Sequence, residues 1–265
     1  MSQSDSLLKD RVRAFWQQNP CGTKFADAPP GSRRFYELVE EHRYKKEWHI
    51  PAAAGFAHSK DLNVLEIGCG LGTDGAQFAK AGAKYTGIDL THAAVELSKR
   101  RFELFDLLGT FRVADAERLN FPNHSFDIVY SHGVLHHTPD TAAAVREIHR
   151  VLKPGGHFCF MEPHSGSLPD VIRKVWYRFD RFFSDNEAAI DISGLQRDFR
   201  ESFKLRKVNY LGNIAFLLVL NSLIFRIPPK SKKLFAPLLM KLEPWVNKLQ
   251  TKLTSCFVVT QWQKL

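Results

Sequence analysis

The chain has 265 residues, 44% of them hydrophobic, which is enough to bury one substantial core with a smaller attached element. None of its four cysteines forms a C-x-x-C pair, which argues against a disulfide framework or a zinc site and favours a reducing cytosol. The formal charge is +9, but residues 1–170 carry net −1 and residues 171–265 net +10, so only the last third has the charge to face nucleic acid, an anionic membrane or an acidic substrate.

The first 60 residues are predicted to form a helical cap. Helices are expected over about Ser6–Gln18 and Ser32–His49, and the prolines and glycines of residues 19–31 forbid regular structure between them. The start of the chain lacks the continuous apolar run of a secretory signal. We therefore expect a cytoplasmic protein.

The middle of the chain alternates short apolar runs with helical segments. Helices are expected at about Thr73–Ala81, Thr91–Asp106 and Thr141–Leu152, the last ended by the proline and glycines of residues 153–156. The predicted strands are Asn63–Ile67, Lys84–Ile88, Thr110–Ala114, Phe126–Tyr130, His157–Met161, Lys204–Leu211 and Cys256–Trp262. This alternation predicts an α/β fold, with a doubly wound, mostly parallel seven-stranded sheet and helices on both faces.

Three glycines punctuate the stretch VLEIGCGLGTDGAQF, residues 64–78. The apolar run ends at Ile67, the glycines form the turn from strand to helix, and Thr73 or Asp74 is expected to cap the helix. Residues without a β-carbon let a ligand lie against the backbone, and a helix N-terminus attracts an anion. A nucleotide-like ligand is therefore expected. Thr73 stands where a dinucleotide fingerprint needs glycine.

The pattern Glu66-x-Gly68-x-Gly70-x-Gly72 continues into further motifs downstream. Asp89 ends the second strand in YTGIDLT, Asp115 follows the third strand in VADAERLNF, and FDIVYSHGVLHHTPD precedes EIHRVLKPGGHFCF. Together these segments, within residues 62–161, resemble the class I S-adenosylmethionine-dependent methyltransferases, which have a Rossmann-like fold. Within that superfamily the chain is similar to the ubiquinone and menaquinone biosynthesis group, methyltransferase domain types 11 and 25. Asp89 alone fits NAD equally well, because either cofactor has a ribose diol there. The spacing of all these motifs together favours S-adenosylmethionine over NAD.

The resemblance implies S-adenosylmethionine as cofactor and S-adenosylhomocysteine as its product. In it, Asp89 accepts both ribose hydroxyls and Asp115 reads the adenine amino group. The expected cofactor-binding residues are Glu66, Gly68, Cys69, Gly70, Gly72, Asp74, Asp89, Leu90, Asp115, Ala116, Ser131 and His132.

Two adjacent histidines follow the fourth strand, at the end of the sheet where open α/β folds bind ligands. Methyl transfer is an in-line displacement that positioning alone accelerates strongly, so a base is needed only when the acceptor must lose a proton. His136 or His137 is the candidate base; packing on the cofactor, or capping the next helix, is the alternative role. His132 and His136 have a spacing that could bind a metal on a helix, but the sequence offers no third ligand near them, so no metal site is expected.

The candidate acceptor-binding residues come from both sides of the predicted core. By resemblance the N-terminal cap acts as a lid, although core packing is the favoured role for any single aromatic residue in it. Two polar residues after the fifth strand line the pocket or belong to a solvated loop. The candidates are Phe15, Trp16, Tyr36, Tyr44, Glu162 and His164.

Tyr210–Leu253 is longer than a hairpin between the last two strands requires. Its run Ile214–Phe225 is too short to cross a bilayer, and residues 234–249 have the apolar spacing of an amphipathic helix with lysines between. A lid, a pocket wall or membrane-surface patch, and a dimer interface are all open. The expected organisation is a cap (1–60), a catalytic core (61–211), a helical insertion (212–252) and a closing strand (253–265).

The resulting hypothesis is an S-adenosylmethionine-dependent methyltransferase acting on carbon or oxygen of a small lipophilic or aromatic molecule. A small thiol or RNA is the alternative acceptor, although Ser131-His132-Gly133-Val134 replaces the motif with which amino-methyltransferases grip an extruded base. An NAD-dependent oxidoreductase and a non-catalytic cofactor-binding protein are the rivals from other classes. Contact with the inner membrane surface and dimerisation are left open.

Overall fold

A computed structural model describes residues 3–177, 189–212 and 229–265. Its seven strands form one sheet in the order β3-β2-β1-β4-β5-β7-β6, in which β7 is antiparallel to both neighbours and every other pair is parallel. The strands are β1 Asn63–Ile67, β2 Lys84–Asp89, β3 Thr110–Val113, β4 Phe126–His132, β5 Leu152–Pro163, β6 Phe203–Leu211 and β7 Phe257–Lys264. The predicted fold class is confirmed.

Helices cover the sheet and form the N-terminal cap. They are α1 Gln3–Gln18, α2 Arg33–Lys46, α3 Ile50–Ala54, α4 Thr73–Lys80, α5 His92–Leu104, α6 Thr141–Val151, α7 Leu168–Tyr177, α8 Ile192–Asp198 and α9 Pro229–Asn247. Core clusters lie against both faces of the sheet, one around Leu65, Val129 and Phe158 and the other around Val64, Phe78 and Tyr130. The strand order reverses between β1 and β4, which opens a crevice at their carboxyl ends.

Three local predictions were wrong. The helix expected to reach His49 ends at Lys46, and a separate short helix, α3, begins at Ile50 with Pro51 in its first turn, where a missing N–H costs no helical hydrogen bond. A short 3₁₀ helix, Thr23–Phe25, forms inside the stretch predicted to be irregular, where the Thr23 hydroxyl donates to the Pro20 carbonyl. Strand β5 includes residues 153–156, because an irregularity in its pairing with β4 accommodates Gly155 at φ +75°.

The predicted insertion is described only in part. The apolar run Ile214–Phe225 lies outside the described residues, whereas α9 falls within the expected 212–252 segment. No helix in the described ranges combines the length and hydropathy required to cross a bilayer. The domain boundaries and the cytoplasmic location stay predictions.

Candidate active site

The glycine turn is held between the end of β2 and the loop after β4. Gly68, Gly70 and Gly72 all adopt left-handed φ values, +75°, +52° and +67°, and the Gly68 and Cys69 amides donate to the Ile88 carbonyl. A β-carbon on Gly68 would lie 2.2 Å from Cγ2 of Val134. Backbone conformation and close packing therefore both require glycine at position 68.

This close packing predicts a stability loss for Gly68→Ala. The variant is expected to lose about 1–3 kcal/mol beyond the backbone cost, because the new methyl group overlaps Val134. Gly55→Ala is the matched control, since Gly55 has φ +70° and no atom within 4 Å of its built β-carbon. Urea unfolding measures both variants, and Val134→Ala should restore part of the loss in Gly68→Ala. Equal losses in the Gly68 and Gly55 variants would contradict the packing argument.

The expected capping of α4 by Thr73 or Asp74 was wrong, because Gly72 is the N-cap and no side chain bonds there. Asp74 turns into the protein, where its carboxylate accepts from Arg43 Nε at 2.8 Å and from the hydroxyl of Tyr130 at 2.8 Å. Burial alone would raise the pKa of Asp74, but Arg43 and the hydrogen bonds outweigh it and lower that pKa to about 2. Asp74 is thus an ionised carboxylate that ties α2 to α4.

The carboxylate of Asp89 stands at the end of β2 beside the glycine turn. Its Oδ1 accepts from the amide and the hydroxyl of Thr91 at 3.0 and 2.9 Å, and its Oδ2 accepts from the Gly70 amide at 3.2 Å. Burial raises the pKa of Asp89, and these donors offset part of that rise. The group predicted to bind ribose is therefore fixed in orientation by its own loop.

Helix α1 is joined to the loop that carries Asp115. Lys9 donates to Asp115 at 2.6 Å and to Glu117 at 2.7 Å, and Lys9 is buried. Two carboxylates around one ammonium group hold the cap against the edge predicted to receive adenine.

One cavity of about 520 Å³ opens at the carboxyl ends of the central strands. Gly72 and Ser131 are absent from its wall: Gly72 packs on Ser98, and Ser131 is fully buried. The predicted cofactor residues at its wall are Glu66, Gly68, Cys69, Gly70, Asp74, Asp89, Leu90, Asp115, Ala116 and His132.

The candidate acceptor residues divide between this cavity and the rest of the fold. Phe15 is partly exposed on α1 and contacts Trp16 edge-on, Tyr36 is fully buried with its hydroxyl on the Leu97 carbonyl, and Tyr44 donates to Asp74. These three do not line the cavity. Trp16, Glu162 and His164 do line it, as do the two candidate bases, His136 and His137.

His136 and Glu162 form a buried pair inside the cavity wall. Oε2 of Glu162 lies 2.6 Å from His136 Nδ1, and Oε1 accepts from the Val134 and Leu135 amides at 3.1 and 2.8 Å. Burial raises the pKa of Glu162 to about 7 and lowers the pKa of His136 to about 3, so at neutral pH the imidazole is uncharged and the carboxyl is the group that titrates. Nε2 is then the ring nitrogen left to meet a ligand.

His132, the last residue of β4, belongs to the same polar network as Asp74. Its Nδ1 accepts from Arg43 Nη2 at 2.6 Å and its Nε2 lies 3.2 Å from the sulfur of Met161. Burial lowers the pKa of His132, which keeps the ring neutral and able to accept. Within the described ranges, no group of three His, Cys, Asp or Glu side chains has a geometry that would hold a metal ion.

Sequence reasoning missed seven charged residues at this cavity, which are Lys9, Arg43, Lys46, Glu47, Glu117, Asp170 and Arg173. Lys9 and Arg43 belong to the N-terminal cap, and Asp170 and Arg173 belong to α7, where Arg173 donates to Asp170 at 2.8 Å. Charged residues on amphipathic helices usually face water, so their spacing carries no signal of a buried role.

The comparison with known families decides the kind of site. Residues 65–160 match a family described as a methyltransferase domain. Residues 65–160 therefore carry a methyltransferase domain of the class I type. The matched segment of this methyltransferase domain runs from β1 to β5 and contains the glycine turn, Asp89 and His136.

Curated relatives share this methyltransferase domain. The chain is 30% identical to the sterol 24-C-methyltransferase of Neurospora crassa, over 63% of its own length and 40% of that protein. It is 33% identical to the fatty-acid O-methyltransferase of Mycolicibacterium smegmatis, over 52% and 50% of the two lengths. The chain thus spans half or less of the length of these relatives.

Solved structures agree in fold. An S-adenosylmethionine-dependent methyltransferase from Mesorhizobium loti has a TM-score of 0.54 and 20% identity, covering 81% of this chain and 97% of that one. The [4+2]-cyclase SpnF also has a TM-score of 0.54, at 16% identity, covering 99% and 94%. Because a methyltransferase and a cyclase share the architecture, these likenesses describe the fold alone.

Proposed function

We propose that the protein transfers the methyl group of S-adenosylmethionine to carbon or oxygen of a small lipophilic molecule. The observation that carries this proposal is that one cavity is walled by the glycine turn and Asp89 and also by the His136–Glu162 pair. A donor at the turn and an acceptor at the pair would then share one enclosed space, which is what in-line displacement requires.

The donor end fits S-adenosylmethionine in its chemistry. Asp89 offers an oriented carboxylate to a ribose diol, Asp115 and Ala116 line the cavity beyond it, and Gly70 leaves backbone bare beside Asp89. The bound cofactor would supply an electrophilic methyl group on a sulfonium, a good neutral leaving group.

The acceptor end mixes apolar walls with a few polar groups. Trp16, Val134, Pro163 and Phe257 line the cavity together with His136 and His164, the composition of a site that binds an apolar molecule and orients one polar atom. The relatives named for sterol and fatty-acid methylation favour the same substrate class. Carbon and oxygen acceptors both fit this wall.

The His136–Glu162 pair is proposed to remove the acceptor proton. Nε2 of His136 takes the proton from an O–H or acidic C–H as the freed electron pair forms a bond to the methyl carbon, while the carbon–sulfur bond breaks and leaves a neutral thioether. Glu162 acts as a positioning residue here, because its oxygens are bonded to His136 and to loop amides. His137 packs on the His136 ring, with centroids 3.8 Å apart, and on Trp16.

Cofactor titration and an acceptor panel test the proposal. S-adenosylhomocysteine should release heat in calorimetry and raise the melting temperature, whereas NADH should do neither. Labelled methyl transfer should occur with sterols, fatty acids, phenols or quinone precursors. Turnover only with thiols or RNA would overturn the acceptor class, and tight cofactor binding without any turnover would indicate a protein that binds the cofactor without chemistry.

Asp89→Ala is expected to weaken S-adenosylhomocysteine binding about 10- to 100-fold, because a hydrogen bond to a charged group contributes about 1.5–3 kcal/mol. Calorimetry at one salt concentration measures the change. Asp198→Ala removes an exposed aspartate from α8, away from the cavity, and should leave the affinity unchanged. Equal affinities for the two variants would remove Asp89 from the cofactor site.

A further inference from the structure

Helix α9 and the residues after it present an apolar side to solvent. Leu234, Leu238, Leu242, Trp245 and Leu249, here called the outer leucine face, are between 47% and 90% exposed. A spacing of three or four residues places the first four on one side of the helix, and Leu249 follows in the turn after it. An exposed row of large apolar side chains is unfavourable in water, and such rows usually mark a surface that binds a partner or a membrane.

The opposite side of α9 already packs on the protein. Glu243 is buried, and Phe235, Ala236, Leu239 and Met240 are half-buried, so the helix has an inner side distinct from the outer leucine face. The exposed leucines are therefore a second apolar surface, and the packing of α9 on its own chain does not account for them.

The charged residues near the outer leucine face are mostly lysines. Residues 229–255 contain six lysines and a single acid, Glu243, which points inward. Lys241 and Lys248 are exposed and adjoin the face along the helix surface, and Lys248 Nζ lies 4.9 Å from the Trp245 ring centre. An apolar face with flanking lysines and an interfacial tryptophan matches an anionic lipid surface.

The segment after α9 is bonded to the helix that walls the acceptor end of the cavity. The Leu168 amide donates to the Leu253 carbonyl at 2.8 Å, which joins the segment after α9 to the start of α7. Helix α7 exposes Leu168, Val171 and Val175 on one side, while Pro169, Asp170 and Arg173 line the cavity from the other. Only the thickness of α7 separates this exposed side from the acceptor end.

We propose that the outer leucine face and the exposed side of α7 dock the protein on an anionic lipid bilayer, with α9 lying in the plane of the interface. This inference deepens the proposed function and rests on it in one respect: a lipophilic acceptor then enters from the bilayer beside α7. A second copy of the chain, the competing occupant, would leave the flanking lysines facing each other without acids.

Vesicle sedimentation of the full chain tests the docking. Binding should be strong to an equal mixture of phosphatidylcholine and phosphatidylserine, weak to phosphatidylcholine alone, and weaker as salt rises. The triple variant Leu234→Ser, Leu238→Ser, Trp245→Ser should lower the bound fraction on the mixture about tenfold or more. Leu108→Ser is the matched control, since Leu108 is 88% exposed in the loop after α5.

S-adenosylhomocysteine calorimetry on the same proteins separates the two proposals. The triple variant should keep wild-type cofactor affinity, which also shows that it is folded. Unchanged vesicle binding in the triple variant would overturn the docking, as would a wild-type dimer that becomes monomeric in this variant with no lipid dependence. Vesicle binding without any cofactor binding would overturn the methyl-transfer proposal and leave the docking standing.

Discussion

Replacing His136 with glutamine is expected to lower kcat about 10²- to 10⁴-fold, the range over which a positioned base accelerates proton transfer. Glutamine keeps a polar side chain at the cavity wall but cannot take up a proton near neutral pH. Affinity for S-adenosylhomocysteine should stay close to the wild-type value, because the glycine turn and Asp89 are untouched. Labelled methyl transfer to the accepted substrate, together with calorimetry, measures both quantities.

Two further variants make this result specific. His58→Gln changes an exposed histidine outside the cavity and should leave kcat unchanged. Glu162→Gln should lower kcat less than His136→Gln and change its pH dependence. If His136→Gln retains wild-type kcat, positioning alone accounts for catalysis and the pair has no role as a base.

The sign of the pH dependence follows from the proton on the pair. Because burial raises the pKa of Glu162 to about 7, the Glu162 carboxyl loses its proton as pH rises through about 7. The resulting carboxylate accepts from Nδ1–H of His136, which leaves the lone pair of Nε2 free to take the acceptor proton. Wild-type kcat should therefore rise through this range and level off above it. Glu162→Gln removes the group that holds the proton, so its lower kcat should stay flat over the same range.

The glycine turn and the sheet were predictable because their signals are local. Apolar runs such as Asn63–Ile67 identify strands, and glycines at 68, 70 and 72 occur where the backbone has positive φ. The His136–Glu162 pair was predictable only in part. The sequence placed both residues at one end of the sheet, but it assigned them separate roles. Their contact follows from the parallel register that pairs His132 with Met161.

The polar network around Asp74 was not predictable in the same way. An aspartate in the first turn of a helix usually interacts with its own N-terminus, which is why Asp74 was expected to cap α4. Its cationic partner, Arg43, lies 31 residues away in the cap, and only tertiary packing brings the two together. The aromatic residues Tyr36 and Tyr44 were assigned to the acceptor for the same reason: their spacing does not reveal which side of α2 faces the cavity.

Removing the cation from this network should cause a large loss of stability. Arg43→Met should lower the free energy of unfolding by about 3–5 kcal/mol at pH 7, because it leaves the buried carboxylate of Asp74 without its compensating charge. Arg34→Met is the matched control on the same helix; its exposed pair with Glu37, at 3.6 Å, contributes less than about 1 kcal/mol. Urea unfolding compares both variants with the wild type.

Lowering the pH should reduce the difference in free energy of unfolding between the wild type and Arg43→Met. The pKa of Asp74 is lowered to about 2 in the folded protein, so its ionised form stabilises the fold above the unfolded pKa near 4, and this contribution is lost as pH falls towards 2. In Arg43→Met the buried carboxylate of Asp74 takes up a proton more readily, so the free energy of unfolding of that variant falls less on acidification. A constant difference between pH 7 and pH 3, or an Arg43→Met loss no larger than that of Arg34→Met, would show that Arg43 stabilises the fold by packing and not by its charge.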